Sequence, residues 1–295
     1  MATNTVKIPN PGASSEALRH HYDVSNEFFS LWLDPTRTYS SAFWEENEGF
    51  DALETAQMRK LDFHIEQARV KGAKRVLDIG CGWGSLLRRL VDVHGVETAV
   101  GITLNKAHAE CILAWEHPKI EVHLESWTEH SPKTHYDGII SLEVFEHFAK
   151  LELSPEEKVA GYRTFFLRCH DWLKPGGWIS LQTNVYENSQ KEDFSQFFAE
   201  QVFPESDLAR QSEIFQATDK LFEVVAFRNY RKHYVRTLKT WLKRLKANRS
   251  KAVYLVGEEI VARYEKYLSL SIIGFHSGTM NVSCITMQRL NNPRK

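Results

Sequence analysis

Two short stretches hold residue types that can do chemistry. "DIGCGWG", residues 78–84, sets Asp78 ahead of glycines at 80, 82 and 84, and "SLEVFEHF", residues 141–148, sets Glu143, Glu146 and His147 among aromatic side chains. Glycines at alternate positions let the backbone approach a ligand closely, and a following helix offers free N–H groups. A dinucleotide fingerprint reads GxGxxG and aims its helix at a pyrophosphate. Here the spacing is GxGxG behind an acid, which disfavours a pyrophosphate and suits a cation such as an α-amino group. S-adenosylmethionine carries that group together with a sulfonium. In the second stretch, a carboxylate in an apolar pocket holds a bound group or stabilises positive charge, and the aromatic faces favour a cation. The plainer readings are a tight turn at the glycines and a helix start with acids in its first turn.

Further candidates sit where later strands end. "GITLNKAH", residues 101–108, lacks the acid that usually takes ribose hydroxyls, leaving Thr103, Leu104 and His108 to serve. Trp127 ends "LESW" and offers an aromatic plane to an adenine ring.

These residues need a frame to converge. "RVLDIG" at 75–80, "ETAVGITL" at 97–104, "IEVHLESW" at 120–127, "YDGIISLEV" at 136–144 and "WISLQTNVY" at 178–186 read as strands, with amphipathic helices between them. That alternation predicts βαβ units and a mostly parallel sheet, with the first strand's loop at the switch point where such sheets bind ligands. Residues 1–15 read as a flexible lead and 16–72 as an aromatic, helical N-terminal lid in which Ser25 caps "NEFFSLWL". Residues 73–295 read as the core, with a helical insertion around 187–251. The closing pair is "SIIGFH", 271–276, as a strand or a helix end, and "TMNVSCITMQRL", 279–290, as a strand.

Composition narrows the function classes. The chain has 295 residues, 42% of them hydrophobic, and a formal net charge of -1, so no global field draws it to nucleic acid. Four scattered cysteines show no metal-ligand spacing, and no metal is expected. No signal peptide or apolar run of spanning length is visible, so a cytoplasmic location is expected. Between Arg231 and Lys251 there is no acid, and the basic face of that helix is expected either to be solvated or to meet a carrier protein or a lipid surface.

"HYDVSNEFFSLWLDPTRTYSSAFW", "VLDIGCGWGSLLRRL", "GITLNKAH", "EVFEHF" and "HYVRTLKTWLKRL" together resemble the cyclopropane fatty acid synthase and mycolic acid methyltransferase family, from about His20 to the C-terminus. The resemblance implies a class I methyltransferase fold, Rossmann-like, with a seven-stranded, mostly parallel sheet. It implies S-adenosylmethionine as donor, methyl transfer to an unactivated alkene of an acyl chain, and a carbocation deprotonated by bound bicarbonate. By the same resemblance, Tyr39, Ser40, Gly80, Gly82, Thr103, Leu104 and Trp127 surround the cofactor, and Asp78 and His108, from their places after the first two strands, are expected beside it. Glu146 and Tyr234 match residues that face the bicarbonate, and His147 belongs to the same motif.

The departures are equally specific. Ser41 stands where the family usually has cysteine, and Gln182 where its fifth strand usually supplies histidine to the bicarbonate. Ser271, His108 and Thr128 likewise replace a usual cysteine, glutamine and glutamate. Gln182 donates a hydrogen bond but does not titrate near neutral pH. The methyl-transfer half of the machinery is expected to be intact and the bicarbonate half altered. The expected activity is methylation of a lipid or acyl alkene. The alternative is C- or N-methylation of a small natural product, a polyketide, terpenoid or amine, as in a plant branch of the family. A nicotinamide-dependent oxidoreductase is disfavoured by the glycine spacing.

Overall fold

The computed structural model describes residues 12–14, 24–193, 197, 201–202 and 205–291. Eight strands form one sheet: β1 (Arg75–Ile79), β2 (Thr98–Thr103), β3 (Ile120–Leu124), β4 (Tyr136–Leu142), β5 (Leu173–Tyr186), β6 (Ala209–Arg210), β7 (Phe222–Asn229) and β8 (Met280–Arg289). Their order is β3-β2-β1-β4-β5-β8-β7, and the two-residue β6 pairs with β5. β8 runs antiparallel to both neighbours; the other pairings are parallel. The order in which strands are added reverses between the parallel strands β1 and β4, so the loops after these two strands lie side by side at the switch point.

Nine helices lie among the described residues: α1 (Asn26–Ser30), α2 (Leu53–Gln67), α3 (Ser85–Asp92), α4 (Lys106–Leu113), α5 (Pro155–Trp172), α6 (Gln211–Thr218), α7 (Arg231–Ala247), α8 (Arg249–Val256) and α9 (Glu258–Ser277). Leu61 and Ile65 of α2 pack with Leu86, Leu87 and Leu90 of α3 on one face of the sheet. Tyr162, Phe165 and Phe166 of α5 and Ile214 of α6 cover the other. α5 starts where the local chemistry dictates: Pro155 takes the first turn, and Ser154 with Glu157 closes a reciprocal capping box. A third cluster joins Phe28, Phe29 and Trp32 of the N-terminal segment to Tyr234, Leu238 and Trp241 of α7 and Tyr264 and Leu268 of α9. The N-terminal helix and the late helices thus make one aromatic cap.

Two expectations change, and one open alternative is decided. Residues 222–229, expected to be helix-like, form β7, an edge strand whose half-exposed pattern obscures the alternation. Residues 271–276 take the helix-end alternative and lie within α9, where Val261, Tyr264, Leu268, Ser271 and Phe275 continue one buried stripe. The helical insertion therefore runs from 231 to 277, between β7 and β8, rather than around 187–251. Of the expected flexible lead, residues 1–11 and 15 lie outside the described residues. Residues 12–14 are seated: the Ala13 N–H donates to the His147 carbonyl at 2.8 Å, and the Ser14 N–H donates to Glu205 Oε2 at 2.9 Å. Among the described residues no helix is long and apolar enough to cross a membrane, and no group of His, Cys, Asp and Glu could hold a metal ion.

Candidate active site

A cavity of about 160 Å³ opens at the carboxyl ends of β1, β2 and β3, beneath the N-terminal segment. Its walls include Tyr39 and Ser40 from the lid, Asp78, Gly80 and Gly82 from the glycine loop, Thr103, Leu104 and His108 after β2, and Trp127 after β3. Glycine is required at 80, where φ is +78° and an added Cβ would lie 2.8 Å from the Val144 side chain. That contact is how closely the two switch-point loops approach. At Gly82, φ is +50° and an added Cβ would meet no atom within 4 Å. This glycine keeps the cavity open, not merely the turn tight.

Asp78 is buried, and burial pushes its carboxyl up to about 7, with the Lys60 ammonium pulling the other way. A buried acid at a cavity wall fits a cationic group that restores its ionised form. Lys60 is itself fully buried; its Nζ donates to Ser40 Oγ at 2.6 Å, and burial lowers it to about 8. The lid loop is fixed from both sides. Asp34 accepts from the Thr36 and Thr38 N–H groups at 3.0 and 2.9 Å. Gln57 of α2 donates to the carbonyls of Thr38 and Ser40 at 3.2 and 2.9 Å, and Thr38 Oγ1 donates to Ser85 Oγ at 2.9 Å. His108 lies against Trp83, ring centroids 4.1 Å apart, and burial holds it neutral with a pKa of about 3. Trp127 is braced by Phe148 and Phe165. An S-adenosyl group therefore fits the residues present: an acid for its amino end, a glycine backbone with open space beside it, and an aromatic wall.

The opposite wall is different. Of the residues expected beside an anion, His147 lines the cavity; Ser41, Gln182, Tyr234 and Glu146 stand one layer back. His147 is kept neutral by burial, its pKa lowered to about 4, and its Nδ1 is hydrogen-bonded with Ser206 Oγ at 2.8 Å. The carboxylate at the wall is Glu143. Its Oε1 accepts from the Ser41 N–H at 2.7 Å and from Gln182 Nε2 at 2.6 Å, and the Tyr234 hydroxyl donates to the same group. Glu146 Oε1 accepts from the Asn184 N–H at 2.5 Å. Burial, and then the charge of Glu143, raise Glu146 to about 8.

Sheet register sets this wall. Gln182 lies between Leu142 of β4 and Cys284 of β8, and its carbonyl accepts from the Glu143 N–H at 2.7 Å. Its amide is oriented from behind by His64 of α2. Burial lowers His64 to about 3, so the ring is neutral. Gln182 Oε1 can only accept, which makes His64 Nε2 the donor at 2.8 Å, and leaves Nδ1 to accept from the Ser180 hydroxyl at 2.7 Å. Gln182 Nε2 then donates to Glu143 Oε1 at 2.6 Å and to the Ser41 carbonyl at 3.3 Å. A bicarbonate ion does not fit here. The donors that the resemblance assigns to it are taken by Glu143, and a free anion would sit against the carboxyls of both Glu143 and Glu146.

Sequence reasoning missed Lys60, His64 and the placement of Glu143. The first two look like ordinary positions of an amphipathic helix. Glu143 had one legible signal: an acid at the glycine-like turn that ends β4.

The chain matches the family described as mycolic acid cyclopropane synthetase over residues 11–285. It is 34% identical over 286 residues to hydroxymycolate synthase MmaA4 of Mycobacterium tuberculosis, covering 91% of this chain and 90% of that protein. It is likewise 34% identical over 288 residues to the S-adenosylmethionine-dependent methyltransferase UmaA of the same organism, covering 91% and 95%. A solved structure of mycolic acid cyclopropane synthase CmaA1 complexed with SAH and CTAB aligns with a TM-score of 0.83 at 29% identity, covering 94% of this chain and 99% of that one.

Proposed function

This chain belongs to the mycolic acid cyclopropane synthetase family and is an S-adenosylmethionine-dependent methyltransferase of the class I fold, and we propose that its acceptor is an alkene carbon of a lipid or acyl chain. The observation that carries this reading is the acidic wall beyond β4, the half-buried carboxyl of Glu143 and the buried carboxyl of Glu146, bordered by Tyr234 and Tyr267. A neutral alkene gains positive charge only as the methyl arrives. A preoriented carboxylate, as Glu143 is by its three hydrogen-bond donors, is most favourable at that moment.

When bound, the cofactor supplies an electrophilic methyl on a sulfonium. Asp78 would hold its amino end, Thr103 and Leu104 its ribose, and Trp127 its adenine side. Tyr39 and Ser40 close over it; Lys60 anchors Ser40 and joins the two halves of the site. In-line displacement depends chiefly on alignment of donor and acceptor, which these fixed loops provide. Exposed Lys232, Lys239, Lys243 and Lys246 of α7 support presentation of the acyl chain on an acidic carrier or an anionic lipid surface.

One observation favours a second acceptor class. The Glu143 and Glu146 carboxyls also suit an ammonium, which would make the acceptor an amine of a small natural product. Incubation with methyl-labelled cofactor separates the two: label in unsaturated acyl chains supports the alkene, and label confined to an amine panel overturns it.

A further inference from the structure

We propose that Glu143 is this enzyme's own proton acceptor, a side-chain carboxylate standing where the resemblance places a bicarbonate ion. The backbone is committed to this placement. Glu143 has φ +52°, a left-handed conformation that glycine adopts freely and glutamate at a cost. The N–H bond to the Gln182 carbonyl holds the turn, and the side chain is thereby presented to the Ser41 N–H, Gln182 Nε2 and the Tyr234 hydroxyl. Three of the four positions implied to face the ion thus converge on a carboxylate that belongs to the chain. The fourth, Glu146, is close enough to feel its charge. The Ser180–His64–Gln182 hydrogen-bond series fixes the amide so that it donates toward Glu143, and Lys60 supplies a compensating buried cation. Glu143 also lines the cofactor cavity, so its carboxylate is accessible from the space the cofactor would enter.

The step rests on the alkene reading. The π pair of the alkene forms the new carbon–carbon bond as the sulfur–methyl bond breaks and its pair returns to sulfur. Positive charge is left on the neighbouring carbon. Glu143 takes one proton from the transferred methyl, the C–H pair closes the three-membered ring, and the proton later leaves to solvent. Atoms and charge balance with no added ion.

The test uses the intact enzyme, with Glu143→Gly and Glu143→Gln. Glycine relieves the left-handed backbone and opens a carboxylate-sized space among donors left in place. NMR of [13C]bicarbonate is expected to show binding to Glu143→Gly and none to the wild type, a result independent of the acceptor. In carbonate-stripped buffer the wild-type rate is expected to be unchanged. Both variants are expected to lose about 100-fold, with bicarbonate restoring Glu143→Gly and not Glu143→Gln, whose amide still fills the space. Bicarbonate binding by the wild type, or a full rate from unsupplemented Glu143→Gly, overturns the proposal. Absence of any alkene-derived product from the wild type overturns the acceptor reading instead, and the binding comparison still decides whether Glu143 occupies the ion's place.

Discussion

At the carboxyl ends of β1, β2 and β3 the polar groups face a cavity, whereas beyond β4 the Glu143 carboxylate at its wall is hydrogen-bonded by the groups behind it. Asp78, Gly82 and Thr103 border open space. Glu143, Gln182, Ser41 and Tyr234 are joined into a closed network. The first region is built to receive a charged ligand, and its buried acid awaits a partner. The second region holds its charges internally, with His64 and Lys60 as supports. The difference teaches that donor binding and charge handling at the acceptor are separable in this fold, so variants in the two regions should fail in different ways.

The sharpest contrast is between Glu146 and Asp78. Glu146→Gln is expected to lower turnover about 100-fold while leaving cofactor affinity, measured by calorimetry, nearly unchanged. Because Glu146 is raised to about 8, wild-type turnover should climb as pH rises through that value, and the variant should lack this limb. Equal turnover in the variant would remove Glu146 from charge handling.

Asp78→Asn should show the reverse pattern. Its cost falls on cofactor affinity, about 2 kcal/mol or roughly 30-fold, with turnover at saturation largely retained. The ligand-free fold prefers Asp78 protonated, since its carboxyl is raised from 3.8 to about 7. Its contribution to stability is therefore largest below the ordinary value and is lost as pH rises through about 7. Cofactor affinity should rise over the same interval, and Asp78→Asn should flatten that slope while stabilising the ligand-free protein above it. An unchanged slope in the variant would assign the pH dependence to another group.

His64→Phe sharpens the comparison from the support side. It removes the donor to Gln182 and the acceptor for Ser180 at a fully buried position, and is expected to cost about 2 kcal/mol in denaturant unfolding. It should also lower turnover without changing cofactor affinity. A loss of affinity equal to the loss of turnover would show that the two regions are not separable.

The smallest effects belong to the glycine loop. Gly82→Ala should cost about 1 kcal/mol of stability from its positive φ alone, and weaken cofactor binding because the methyl enters open space. Gly80→Ala should be the less stable of the two, since the Val144 contact adds to the same backbone cost. The reverse ranking in thermal unfolding would contradict the close approach of the two loops.

What could be read from sequence follows the same division. The parallel sheet and glycine loop depend on local signals: alternating strands and helices, glycine spacing, and an acid at a strand end. Strand β7 escaped because it is a half-exposed edge strand that follows α6 and precedes α7, so its short apolar run reads as part of the surrounding helical stretch. The acceptor wall escaped because its geometry is non-local. Gln182 reads as a lost histidine until the fold brings His64 behind it, 118 positions away. Glu143 reads as one acid of a pair until its positive φ turns it toward Ser41 and Gln182.

The most direct test is mass spectrometry of unsaturated acyl substrates after incubation with methyl-labelled S-adenosylmethionine in carbonate-free buffer. The expected result is acyl chains heavier by one labelled methylene, its carbon bonded to both former alkene carbons. Label that remains wholly on the cofactor, or that appears only on amines, would contradict it.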